Sequence, residues 1–275
     1  MKEGIDDMQH SEPYVSESPG RKKVPSKAKS FIDAAVEAGR TSLLEYEAEQ
    51  VAKQYKIPVA RGGLASTEKQ AVLLARGLGL PVAMKIVSPD VLHKTDVGGV
   101  RVNINSFPEV RKAFGEIIRN VKRANRKAEI KGIYVQTMAP KSYEFVVGGV
   151  RDPQFGPTVM FGLGGIYVEI FKDVSFRIAP VSEEDALGMM KEIKSAQLLA
   201  GFRGSKPLDT NAAAAVIRAV GQMMFDFDAI DSIDINPLFI YQRGVMATDV
   251  RIILKSQKTE PKGTDQESPS SFPQN

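Results

Sequence analysis

The chain has 275 residues, 43% hydrophobic and 25% charged, and no apolar run approaches the ~18 residues that cross a bilayer, so neither a membrane protein nor a wholly disordered one is expected. It has no cysteine, which excludes disulfides, thiolate metal sites and cysteine nucleophiles. The net charge of +4 comes from 37 cations dispersed among 33 anions, without the basic stripe and stacking aromatics of a nucleic-acid binder.

The opening "MKEGIDDMQHSEPYVSESPG" has no apolar segment behind its charges, unlike a secretory signal, and with the missing cysteines this predicts a cytoplasmic protein. Residues 1–40, with Pro13, Pro19 and Pro25 among many serines and lysines, predict a flexible polar tail in which "FIDAAVEAG" is a candidate short helix. Residues 255–275 repeat that composition and predict a second flexible tail. A folded region over 41–254 then keeps only His93, because the other histidine, His10, lies in the first tail.

Inside those limits, Ser42 with Glu45, Thr67 with Gln70 and Ser106 with Glu109 have the spacing of capping boxes at helix starts. Leu44, Ala48, Val51 and Tyr55 share one face of the first helix, and further helices are predicted at about 67–78, 107–127, 183–194 and 210–225. The densest cationic run, "VKRANRKAEIK", suits the solvated C-terminal end of the second of these. Strands are predicted at "PVAMKIV", "GVRVNI", "GIYVQTM", "YEFVVGGVR", "PTVMFG", "VSFRIAP", "IDINPLFI" and "GVMATDVRIIL". Several follow one another through short turns, so antiparallel pairing and an α+β fold are expected.

Lys85 interrupts an apolar strand, where an ammonium needs an anion or a carboxylate beside it. The following "SPDVLHKTDVGGV" carries His93 and then Gly98-Gly99, residues that let backbone amides approach an anion closely. Together they read as a hairpin loop that could fold over phosphates, although neither the P-loop nor the dinucleotide pattern is present. Gln136 and Glu144 flank the apolar Val135 and Met138, an arrangement open to a base and ribose contact or to a plain core hairpin. Asp234, Asn236 and Asp249 fall on two strands expected to be neighbours, and offer the hard oxygens that Mg²⁺ takes alongside phosphate and water. Asn before Pro237 is equally a turn opener. Gly162, Gly164 and Gly165 ahead of Glu169 and Asp173 serve either as a nucleotide loop or as a turn that avoids a clash. Arg177 and Arg203 are candidate anion clamps or ordinary ion-pair partners.

In order along the chain, "MKIVSPDVLHKTDVGGVRVNI", "RDPQFGPTVMFGLGGIYVEIFKDVSFRIAP", "LLAGFRG" and "IDINPLFI…TDVRIIL" resemble the beta subunit of ADP-forming acetyl-CoA (acyl-CoA) synthetases over about 41–254. A more distant similarity is to the succinyl-CoA synthetase beta subunit, which has a glutamate where this chain has Gln136. The resemblance implies an ATP-grasp fold, two α+β subdomains enclosing a nucleotide cleft, the smaller over about 61–132 and the larger over about 133–254 plus 41–60. It implies phosphate contacts from Lys85, Gly98, Gly99 and Val100, base and ribose contacts from Gln136, Met138 and Glu144, and Mg²⁺ on Asn236 and Asp249. The implied reaction interconverts acyl-CoA, ADP and phosphate with the free acid, CoA and ATP. His93 would relay a phosphoryl group between ADP or ATP and a phosphohistidine on a companion alpha subunit, which would also carry the CoA site. Another ATP-grasp carboxylate ligase and a nucleotide-sensing regulatory module are the alternatives, and neither needs a phosphoryl-carrying imidazole.

Overall fold

The computed structural model describes residues 24–91, 93–165, 173–202 and 204–256. Two antiparallel sheets organise them. The smaller has four strands in the order β1 (Gly62–Ala65), β4 (Gly132–Thr137), β2 (Val82–Val87) and β3 (Val100–Ile104). The larger runs β10 (Val250–Leu254), β8 (Ile230–Ile240), β5 (Tyr143–Asp152), β6 (Gly156–Leu163) and β7 (Val174–Ile178), with β9 (Val245–Ala247) also paired to β8. Every pairing between these strands is antiparallel, as the short turns in the sequence predict. Among the described residues no helix is long and apolar enough to cross a membrane.

Helices α3 (Glu68–Leu78) and α4 (Phe107–Ala124) cover one face of the small sheet. Thr67 caps α3 by accepting from the Gln70 amide, and Gln70 accepts from the Thr67 amide in return, the reciprocal arrangement expected of that pair. Ser106 caps α4, while Glu109 reaches back to the Ser106 hydroxyl and the Asn105 amide. Val110, Ala113, Phe114, Ile117 and Val121 form the buried stripe of α4, the spacing that faces a helix to a core. Its basic end closes on itself, with Lys122 donating to the Ala128 carbonyl at 2.8 Å.

On the large sheet, Phe145, Val147, Val159 and Phe161 point into a core completed by α1 (Ser26–Glu37), α2 (Glu45–Gln54), α5 (Glu183–Glu192), α6 (Ala196–Ala200) and α7 (Thr210–Asp226). The Phe145 and Phe161 rings stack at 5.5 Å between centroids, and each such buried side chain contributes about 1.5–3 kcal/mol by leaving water.

Four expectations are corrected here. Residues 24–40 are not a flexible tail, because α1 buries Ala28, Ile32 and Ala35 in the large core. Ser42 and Glu45 do not form a capping box: α2 begins at Glu45, and Glu47 accepts from the Leu44 amide at 2.8 Å instead. The small sheet extends past residue 132 to include β4 and takes in an unpredicted strand, β1. The last predicted strand is broken between β9 and β10, at Thr248 and Asp249.

Candidate active site

Between the two sheets lies a cleft of about 550 Å³. On the small sheet, Val82, Met84 and Ile86 enter the core below α3 and α4, so the alternating pleat turns Ala83, Lys85 and Val87 toward the large sheet. The Lys85 ammonium crosses over: Nζ donates to the Thr248 carbonyl at 2.6 Å and pairs with Glu45 Oε1 at 2.9 Å and Asp249 Oδ1 at 3.9 Å. Burial works to lower the Lys85 pKa, but the Glu45 and Asp249 carboxylates outweigh it and hold the pKa above its ordinary value.

Opposite, the large sheet is interrupted. Val250 pairs with Ile235 and Ala247 with Leu238, which leaves Asn236 and Pro237 facing Thr248 and Asp249 across the gap between β9 and β10. On the other side of β8 the register with β5 shifts at the same place, where Asn236 and Pro237 face the single residue Val146, so the one extra residue forms a bulge, a device that re-aims side chains. Asp234, Asn236, Asp249 and Arg251 consequently all line the cleft. Asn236 Oδ1 accepts from the Gly165 amide at 3.3 Å. The Asp234 carboxyl is pushed up to about 6, first by loss of water around it and then by the Asp249 charge, with Arg251 opposing.

The β2–β3 loop brings His93 to this cleft, exposed and in the same wall as Lys94, Thr95 and Val100. Gln136 and Met138 also line the cleft. Gln136 is 1% exposed, and its amide nitrogen donates to Glu49 Oε1 at 2.8 Å.

The double glycine does something other than present amides. Gly98 and Gly99 donate to the Thr95 and Lys94 carbonyls at 3.0 and 2.7 Å, closing the loop on itself, and neither lines the cleft. A Cβ at Gly99 would lie 2.7 Å from the Ile86 side chain and 2.8 Å from the Lys94 carbonyl, so close packing accounts for that glycine. Glu144 is also outside the lining, beside the Gly164–Gly165 turn. Gly162 and Gly164 are explained sterically, since added carbons would sit 2.4 Å from the Asp173 carbonyl and 2.7 Å from the Phe145 backbone. Asp173 accepts from the Lys194 and Ser195 amides at 2.6 and 2.8 Å, and Arg177 pairs with Glu192 and Asp185, so both have structural work. Glu169 and Arg203 lie outside the described residues.

Two functional-looking side chains escaped the sequence reading. Glu45, its side chain 1% exposed, pairs through Oε1 with Lys85 and through Oε2 with Lys94. Burial works to raise the Glu45 pKa, and the two lysines overcome it and lower it. One turn along α2, Glu49 accepts from the Tyr134 hydroxyl at 2.6 Å as well as from Gln136. The available signal was an acidic stripe, Glu45 and Glu49, running beside the apolar stripe of Leu44, Ala48 and Val51 on one short helix.

A family model described as an ATP-grasp domain matches residues 34–254. The chain belongs to the ATP-grasp family. Among its relatives, this ATP-grasp chain is 47% identical to the beta subunit of acetate–CoA ligase (ADP-forming) I of Pyrococcus furiosus, covering 83% of this chain and 98% of that one. A solved structure of acetyl-coenzyme A synthetase 1 from Candidatus Korarchaeum cryptofilum, with coenzyme A and Ca-AMPCP, is 52% identical with a TM-score of 0.80, over 83% of this chain and 100% of that chain. Another structure of that enzyme holds Mg-AMPPCP, its phosphohistidine segment pointing towards the nucleotide binding site, at 48% identity and a TM-score of 0.73 over the same shares. These relatives group the ATP-grasp chain with the beta subunits of ADP-forming acetyl-CoA synthetases.

Proposed function

We propose that this chain is the nucleotide-gripping subunit of a cytoplasmic ADP-forming acyl-CoA synthetase, converting acyl-CoA, ADP and phosphate to carboxylic acid, CoA and ATP, and the reverse. The observation that carries the reading is the convergence of Lys85, His93, Asn236 and Asp249, from four separate segments, on one cleft. An alpha subunit supplies the CoA site and the phosphohistidine, a division consistent with the name of the Pyrococcus relative. A His93 ring nitrogen attacks the phosphorus of that phosphohistidine; the old N–P bond breaks as the new one forms. A terminal oxygen of ADP then displaces His93, yielding ATP and the free imidazole. Lys85 offers its cation to the phosphates in transit, steadied by Thr248 and Glu45.

Magnesium fits the donor set. Asn236 and Asp249 present hard oxygens on facing strand ends, and the Asp249 side chain is 46% exposed to the cleft. Among the described residues no group of three or more His, Cys, Asp or Glu could enclose an ion, which suits a metal that completes its shell with phosphate and water. When bound, the ion would neutralise phosphate charge. Asp249→Asn should weaken Mg-ADP binding by roughly tenfold or more, since even supporting residues of metal sites cost that much when lost; calorimetric titration giving unchanged affinity would remove Asp249 from the metal site.

The relay is tested by incubating the chain with Mg-ATP and assaying acid-labile phosphate on His93. With an alpha subunit added, His93→Ala should lose ATP synthesis from acyl-CoA by about 10⁴-fold or more, as for other lost nucleophiles. Full activity of that variant would refute the relay and favour a direct ATP-grasp ligase.

A further inference from the structure

We propose that Lys94 and Glu45 are positioning residues, which together hold the His93-bearing loop against α2 across the cleft, Glu45 also holding Lys85 at 2.9 Å so that its contact with Asp249 stays at 3.9 Å. The inference rests on the relay reading for its catalytic consequence, and on the geometry alone for the clamp.

The loop's base is tied to its own sheet. Ile86 donates to the Gly99 carbonyl at 2.8 Å, Asn120 Nδ2 to the Gly98 carbonyl at 3.2 Å, and the Glu129 amide to Asp90 Oδ2 at 2.6 Å. Those bonds stay within the small lobe and leave His93 at an exposed tip. Lys94, the next residue, reaches across: its ammonium pairs with Glu45 Oε2. Glu45 is anchored in turn, because α2 packs into the large core through Ala48, Val51 and Ala52. The ion pair therefore joins the histidine loop of one lobe to a rigid helix of the other.

A carboxylate this enclosed is tolerable only with full compensation, and two lysines provide it. The arrangement is asymmetric in its consequences. Without Lys94, Glu45 still has Lys85 at 2.9 Å, so the buried charge stays paired and only the loop is freed. Without Glu45, two ammonium groups lose their shared anion, and the nearest alternative for Lys85 is Asp249, now 3.9 Å away. Lys85 would then neutralise the carboxylate proposed for Mg²⁺. In-line phosphoryl transfer requires the imidazole nitrogen to be placed closely, and misplacement by about 1 Å can cost roughly 100-fold.

The test compares Lys94→Met, Lys94→Arg and Glu45→Gln in the full chain, following amide hydrogen exchange of residues 93–99, Mg-ATP affinity and acid-labile phosphate on His93. Lys94→Met should speed exchange in the loop while β2 and α2 keep their protection. Phosphorylation of His93 should slow roughly 10–100-fold, by more than Mg-ATP affinity falls, because a misplaced imidazole acts on the transfer step rather than on ground-state binding. Lys94→Arg should restore both loop protection and rate. Glu45→Gln should release the loop equally and also weaken Mg-ATP binding. Loop exchange that does not change in Lys94→Met overturns the clamp. If the wild-type chain takes up no phosphate on His93, the relay reading fails, and loop exchange still decides whether Lys94 and Glu45 hold the loop.

Discussion

Replacing Lys85 by methionine is expected to weaken Mg-ATP binding about 10–100-fold, the worth of a charge-assisted hydrogen bond to phosphate, and to destabilise the fold by about 3 kcal/mol. The second effect follows from what is left behind. Glu45 would keep only Lys94, whose loop is exposed, and the Thr248 carbonyl would lose its 2.6 Å donor. Breaking a buried pair on one side costs about 3–5 kcal/mol in general, and the surviving lysine puts this case at the low end. A double variant, Lys85→Met with Glu45→Leu, separates the two roles, because exchanging a buried pair for apolar residues is often close to neutral. It should recover most of the stability in urea unfolding and none of the nucleotide affinity in titration. Recovery of both would mean that Lys85 is only a strut.

Lys85 was legible because a strand alternates strictly, and an ammonium on a buried strand announces a missing anion. Its partner was not, since Glu45 lies on a distant helix and its spacing from Ser42 imitates a capping box. Glu47, held also by Arg40 at 2.7 and 3.1 Å, satisfies the Leu44 amide instead, which leaves Glu45 free to enter the cleft. Strand β1 was missed for a similar reason. "GGLA" has little β propensity of its own, yet Gly62 fits where a Cβ would come 2.5 Å from the Tyr134 ring, so its place is set by β4. Asn236 and Asp249, expected on neighbouring strands, line one cleft although the final strand is broken, because the break and the β8 bulge fall opposite each other. Conversely, Gly98-Gly99 could be read from sequence as an anion cradle because local composition does not reveal which carbonyls consume the amides.

A fall in stability between about pH 4.5 and 7 is the second large effect expected, and it resides in Glu49. That carboxyl is 1% exposed and is pushed up from 4.5 to about 7, chiefly by burial and further by the Glu45 charge, against the Tyr134 hydrogen bond, Lys53 and Lys85. In this window the folded protein holds a proton on Glu49 that the unfolded chain releases. Folding is therefore favoured most below about 4.5, and the advantage is lost as pH rises through about 7, a change of about 3 kcal/mol at 1.36 kcal/mol per unit. Asp234, raised to about 6, acts in the same sense, so the wild-type curve alone does not isolate Glu49. Glu49→Gln keeps an acceptor for the Tyr134 hydroxyl and removes the proton. The difference in unfolding free energy between wild type and Glu49→Gln, measured in urea at pH 5 and pH 8, should shift by about 2–3 kcal/mol in favour of the variant at the higher pH. A difference that stays constant across that range would show that Glu49 is ionised in the fold, with Lys53 and Lys85 outweighing its burial.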